Sequence, residues 1–187
     1  MAGCGLLAPS ESSDPADTVQ SRWWTWAASE PAGSDPVTDL TGQFCDRNQP
    51  AGVWFLATMF GGHAERRCSV PAGRPIVFPV INYQHSFIDF CVSFMEVAAG
   101  LAEFDGTSLP VERIEPEFIV FEAVVGNGLD LRPGTLEAYG CGLWVWLLPL
   151  PPGSHELRIR GLAGDIANSV DYHLDVIAPT VAALAEQ

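Results

Sequence analysis

Apolar and polar residues along this chain alternate mostly with a period of two, in short runs broken by glycine and proline. That is the signature of many short β-strands. One early stretch departs from it. Asp17-Thr18 can cap a helix running to about Ser29, with Pro31 ending it. On that helix Val19, Trp23 and Ala27 share a face, Trp26 lies beside them and Arg22 points elsewhere. Trp23, Trp24 and Trp26 together exceed what one apolar stripe needs. Two roles fit them: indoles anchoring a helix across a sheet, or the aromatic wall of a ligand pocket.

Residues 30–50 contain Pro31, Gly33, Pro36, Gly42 and Pro50 and read as loop. Residues 53–60 are apolar on both faces, as a central strand is. Gly61-Gly62 makes a turn, and 63–70 alternates Ala64, Arg66, Cys68 and Val70 against His63, Glu65, Arg67 and Ser69. After Pro71-Ala72-Gly73, residues 75–81 are strand-like again, and these three strands are expected to form a meander. Residues 87–104 satisfy two periods. Period two groups Ile88, Phe90, Val92 and Phe94; period 3.6 groups Phe87, Cys91, Phe94, Ala98 and Leu101. The expectation is a strand passing into a short helix. Strands follow at 108–114, 117–125, 137–149, 154–161 and 169–177, with a tail helix from Thr180. The predicted fold is mostly β: an antiparallel β-sandwich, immunoglobulin-like or jelly-roll-like, with one N-terminal helix. Residues 1–16 are expected as a flexible tether and 17–187 as a single β-rich domain.

Composition narrows the partners. The 187 residues carry 23 acids against 9 bases, all of them arginine, for a net charge of −14. Such a field repels phosphate backbones and anionic lipid surfaces, which argues against nucleic-acid or membrane-surface binding. No run reaches the roughly 18 apolar residues of a membrane span. Met1-Ala2-Gly3-Cys4, followed by Gly5, resembles a bacterial lipobox, and the Ser, Pro, Asp and Glu of residues 8–17 resemble a lipoprotein tether. This places the natural start upstream of Met1 and a lipid on Cys4.

Several blocks carry a family resemblance: Gly52-Val53-Trp54-Phe55-Leu56-Ala57, Phe60-Gly61-Gly62, Arg67-Cys68-Ser69-Val70-Pro71-Ala72-Gly73 and Phe78-Pro79-Val80-Ile81-Asn82. With Trp23-Trp24, Asp105-Gly106, the stretch from Leu147 to His155 and Asp171-Tyr172-His173-Leu174, they resemble a family of uncharacterised secreted bacterial proteins over residues 20–178. The resemblance implies an extracytoplasmic compartment and no particular reaction. The Pro152-Gly153-Ser154-His155 turn feeding an alternating strand also resembles immunoglobulin-like sandwich domains.

With Cys4 set aside as a lipid anchor, Cys45, Cys68, Cys91 and Cys141 remain, an even number. Cys45 lies in a loop and Cys68 in the neighbouring meander. That placement, with the secreted character the resemblance implies, predicts a Cys45–Cys68 bridge. Cys91 and Cys141 lie in apolar segments where free buried thiols are common; whether they pair is left open. His63 and Glu65 share a strand face without a third metal ligand in register, and no zinc, phosphate-loop, dinucleotide or nucleophile-elbow pattern appears. The sequence therefore predicts neither metal nor cofactor.

The densest polar group is Asn82, Tyr83, His85 and Asp89, at the exit of an uncharged strand. Loops leaving a rigid sheet are where sites concentrate. His85 could act as a base with Asp89 fixing its tautomer; the alternative is that these side chains only bond the turn's own backbone. A ligand site is expected from Asn82, Tyr83, His85 and Asp89, walled by Trp23, Trp26 and Trp54. Three functions fit: an extracytoplasmic non-catalytic domain that binds a small molecule or a cell-envelope protein, a small acid-base enzyme of cyclase or isomerase type, or a structural module of an envelope assembly. The first is favoured.

Overall fold

The structure is a computed structural model, and it describes residues 14–178. The lipidation expected at Cys4, the helix expected from Thr180 and most of the tether lie outside those residues. Asp14–Ala16, assigned by the sequence to the tether, already pack: the Pro15 carbonyl accepts hydrogen bonds from the Val120 amide at 3.3 Å and from the Ser21 hydroxyl.

Helix α1 spans Val19–Ala27, and the Thr18 hydroxyl caps it by accepting the Ser21 amide at 3.1 Å. The remaining elements are β1 (Trp54–Phe55), β2 (Gly62–Pro71), β3 (Ile76–His85), α2 (Ile88–Val97), β4 (Ala99–Phe104), β5 (Thr107–Ser108), β6 (Glu112–Ala123), β7 (Gly134–Leu147), β8 (Gly153–Ala163) and β9 (Ile166–Ile177). They form two sheets, β1-β3-β7-β6 and β2-β9-β8-β4-β5. The mostly-β sandwich expected from the alternation is present. Taking the nine strands in chain order as A, A′, B, C, C′, D, E, F and G, the order is A-B-E-D against A′-G-F-C-C′, that of an immunoglobulin-like sandwich.

Three expectations need correction. The sheets are mixed rather than purely antiparallel, because β1 pairs parallel with β3 and β2 pairs parallel with β9. The described residues hold two helices, the N-terminal α1 and α2, which falls in the 87–104 stretch where a short helix was expected. The expected meander does not form, since β1 and β3 lie in one sheet and β2 in the other. Gly61 and Gly62 both take positive φ, 112° and 89°. Open to glycine and strained for other residues, this backbone carries the chain across to the second sheet instead of folding it back. At 87–104 the helix comes first and the strand second. Cys91 and Met95, one turn apart, are the buried residues of α2, so the period of 3.6 prevailed there. Segments 108–114 and 117–125 contribute mainly to one strand, β6, with a register shift between Ile114 and Glu117. Pro116, which has no amide hydrogen to donate, sits inside that irregularity.

The core has two compartments, and β7 explains both. Its run 143–147 is buried on both faces. Leu143, Val145 and Leu147 point between the sheets, whereas Trp144 and Trp146 point outward beneath α1. Trp23 meets Trp144 edge-on at 6.0 Å, and its indole N–H reaches the Leu56 carbonyl at 3.0 Å. The molecule is thus layered as helix, sheet, sheet, and α1 covers a sheet face that would otherwise expose indoles to water.

The long segment 28–53 is fastened to this frame by β2. Cys68 bonds Cys45, with Cα atoms 6.0 Å apart. Arg66 is 1% exposed, and no carboxylate pairs with it among the described residues. Its guanidinium donates instead to backbone: Nε to the Asp39 carbonyl at 2.7 Å, Nη2 to Val37 at 2.7 Å and Nη1 to Ala57 at 2.8 Å. Nη1 also reaches the Tyr172 hydroxyl at 2.9 Å.

Asp39 stabilises the same segment. Burial pushes its carboxyl up, but the Thr41, Phe44 and Gly42 amides and the Thr41 hydroxyl outweigh that, holding it below its ordinary 3.8. A carboxyl with a depressed folded-state pKa adds stability above its unfolded pKa, and the contribution is lost as pH falls through the folded value. Asp39→Asn is therefore expected to be less stable than the parent near neutrality. The gap between their acid-unfolding curves should close below pH 3.8. A gap that does not change with pH would show that the ionised carboxylate is not what matters.

Candidate functional site

At one end of the sandwich the β1–β2 loop, the end of β3, α2, the β6–β7 loop and the start of β9 surround a cavity of about 270 Å³. Its walls are mainly apolar. Trp24 from α1 stacks on Phe60 with ring centroids 6.3 Å apart, and Phe94 of α2 stacks on Tyr83 at 5.1 Å. Leu129 and Leu131 close another side. They are presented by Asn127, whose amide donates to the Val124 and Leu131 carbonyls and whose oxygen accepts the Leu129 and Leu131 amides. This buried side chain replaces the sheet hydrogen bonds that the loop lacks.

Three polar side chains of the wall stand apart. Asn82 of β3, Asn168 of β9 and Trp24 are 7%, 4% and 3% exposed. Asn82 Nδ2, Asn168 Oδ1 and Trp24 Nε1 are buried without a hydrogen-bond partner. Space for the two amides comes from glycine. Gly142 lies opposite Asn82 and Gly161 opposite Asn168 in the ladders. A Cβ on Gly161 would sit 2.9 Å from Asn168 Oδ1 and 2.4 Å from the Val80 carbonyl. The same missing Cβ lets the two sheets approach, bringing Asn82 of one sheet near Asn168 of the other. Leaving a buried amide or indole N–H unpaired costs on the order of 1–3 kcal/mol, so three around one space are a concentrated cost.

Of the residues expected to form a site, the structure brings Asn82 and Tyr83 into this cavity. Tyr83 is its one ionisable wall residue; burial raises its pKa, and the neighbouring Cys91 and Cys141 add to the rise, so the phenol is neutral. His85 and Asp89 lie outside the wall. His85 Nδ1 accepts the Phe87 amide at 3.1 Å, and its ring packs 3.9 Å from that of Phe90. Asp89 is exposed in the first turn of α2, where the helix dipole favours it, and makes no bond to His85. Trp23 and Trp26 are core anchors, the latter donating to the Arg47 carbonyl at 2.8 Å. Trp54 lies by a separate shallow depression, with Arg74 5.1 Å above its ring.

Asn168, Leu129 and Leu131 were not singled out by sequence, and Trp24 was marked only as one of three surplus indoles. The surplus of indoles on α1 was a signal for Trp24; nothing local marks Asn168, the third residue of β9. The other histidines bond across the surface: His63 to Ser169 at 2.9 Å, His155 to Asp105 at 2.8 Å and His173 to Glu65 at 3.1 Å. Among the described residues no three His, Cys, Asp or Glu side chains group closely enough to hold a metal ion, and no helix is long and apolar enough to cross a membrane. No protein-family model and no curated protein matches the chain.

Proposed function

We propose that this protein is an extracytoplasmic, non-catalytic β-sandwich that binds a small uncharged molecule in the cavity beside Trp24, Asn82 and Asn168. One observation carries the reading: three residues lining a mainly apolar space each hold a buried polar atom without a partner, two donors and an acceptor in all. An apolar wall with few convergent polar groups is what a small-molecule site consists of, and the volume lies near the lower end of the usual range of about 300–1,000 Å³. A ligand with a planar apolar body and an amide-like edge would offer a carbonyl oxygen to the donors and an N–H to the acceptor. A charged ligand would find no counter-ion in the wall. Separation of His85 from Asp89, and of both from the cavity, weighs against an acid-base enzyme. The Cys45–Cys68 disulfide supports an oxidising compartment. The resemblance to secreted bacterial proteins and the lipobox-like start point the same way and belong to this proposal.

The test uses benzamide as probe, with benzoate and benzylammonium as charged controls and indole fluorescence as readout. Benzamide is expected to bind in the millimolar range and the controls more weakly. In an Asn82→Leu/Asn168→Leu chain, benzamide binding should fall about tenfold or more, while the ligand-free protein gains about 1 kcal/mol because two unpaired buried amides are gone. Equal affinity for all three probes, or undiminished binding by the double variant, would sink the reading.

A further inference from the structure

We propose that Cys91 and Cys141 are a second redox pair, closing on oxidation into a disulfide that ties α2 to β7. The two lie 50 residues apart in sequence and are both fully buried. Both side chains sit in the core cluster between the sheets. Cys91 Sγ also lies 3.2 Å from the Tyr139 carbonyl, and Cys141 Sγ lies 3.7 Å from the Cys91 carbonyl. Both sulfurs share the Tyr83 carbonyl, at 4.0 and 3.8 Å. Closure requires the two sulfurs, which already face one carbonyl, to turn toward each other to about 2 Å.

Access comes through α2. The helix buries only Cys91 and Met95, and its first residue has no side-chain cap. Phe87 and Phe90 lie 66% and 52% exposed at its N-terminal end. A short helix that buries two side chains and leaves most of its surface in water belongs to the low-stability part of a fold, and lifting it uncovers both sulfurs. The pair divides its protons unequally. The hydrogen bond from Cys141 favours the Cys91 thiolate against the opposing effect of burial. The same hydrogen bond, burial and the charge on Cys91 hold Cys141 up as the thiol. Cys91, carried on the helix that lifts, is also the sulfur a reagent meets first, so it is the attacking sulfur and Cys141, on β7, the resolving one.

The oxidant is a small disulfide such as oxidised glutathione. Cys91 thiolate attacks one of its sulfurs, forming a mixed disulfide and expelling one glutathione thiolate. Cys141 then loses its proton and attacks the Cys91 sulfur, expelling the second. The two cysteines give up two protons and two electrons, and the small disulfide becomes two thiols.

A Cys4→Ser chain leaves four cysteines for the test. It is reduced, unfolded and refolded in glutathione buffers of rising oxidised fraction, then acid-quenched, alkylated under denaturing conditions and mapped by mass spectrometry. Expected are two linked peptide pairs, Cys45 with Cys68 and Cys91 with Cys141, the second present in most molecules at the oxidised end. In a chain that also carries Cys45→Ala and Cys68→Ala, oxidation should raise Tm by about 5–10 °C. Alkylation of Cys91 and Cys141 in every buffer while Cys45–Cys68 forms would overturn the proposal, as would crossed pairing or no change in Tm. No cavity ligand enters the test, so its failure would leave the binding proposal untouched.

Discussion

Arg66→Met is expected to lower the unfolding free energy by about 3–5 kcal/mol, the largest effect of any single polar side chain in this fold. The guanidinium satisfies the carbonyls of Val37, Asp39 and Ala57, and it contacts a Tyr172 hydroxyl that itself donates to Ala57 at 2.7 Å. Methionine keeps much of the volume but leaves the buried Val37 and Asp39 carbonyls without that donor. Each such loss costs roughly 1–3 kcal/mol. A full positive charge inside the sandwich is tolerable because these oxygens replace its water. Arg66→Lys retains the charge but cannot present the planar fork, so it should recover less than half of the loss. Tyr172→Phe should cost about 1–2 kcal/mol and couple with Arg66→Met in a double-mutant cycle. Urea unfolding measures all four proteins. A loss below about 1 kcal/mol in Arg66→Met would mean that water takes over the role of the guanidinium.

Removing the Cys45–Cys68 bridge with the double variant Cys45→Ala/Cys68→Ala should cost about 3 kcal/mol and lower Tm by about 5–10 °C. The bridge closes a sequence separation of 23 residues, and most of its effect lies in restricting the unfolded chain. Arg66, two residues before Cys68 on the same strand, still holds the 28–53 segment when the bridge is gone. The variant should therefore keep its native near-UV spectrum while losing stability. Reduction of the parent should match it. A loss under 1 kcal/mol, or collapse of the tertiary spectrum, would show that the two fastenings are not independent.

These two fastenings also show how far local pattern reaches. Alternation placed Ala64, Arg66, Cys68 and Val70 on one face of β2, and all four are buried. That Arg66 in that set is a buried cation held by backbone carbonyls was shown only by the structure. The run 143–147 was expected inside a strand, and its burial on both faces is a finding of the structure. That α1 supplies the second cover followed only once three indoles on a short helix met Trp144 and Trp146. The site was half legible. Asn82 and Tyr83 were marked by the sudden polarity at the end of β3. His85 and Asp89, four residues apart, were grouped by proximity in sequence, yet α2 begins between them and turns the carboxylate to solvent.

From sequence alone came the β class, the capped first helix, the inward face of β2 and the Cys45–Cys68 pair. The first three rest on periodicity or capping chemistry that a few neighbouring residues express; the pair rested on cysteine placement together with the secreted character that the resemblance implies. Tertiary structure decided which strands share a sheet, because backbone pairing is chosen by the total surface buried across distant segments. Gly61 and Gly62 permit the crossing without announcing it. Tertiary structure also decided the cavity and the thiol pair. Asn82 and Asn168 lie 86 positions apart and on different sheets, and they line one cavity where Gly161 lets those sheets approach closely. Cys91 and Cys141 meet only because α2 folds back over β7. Such contacts belong to no local pattern, since the side chains that make them are set by the packing of whole layers.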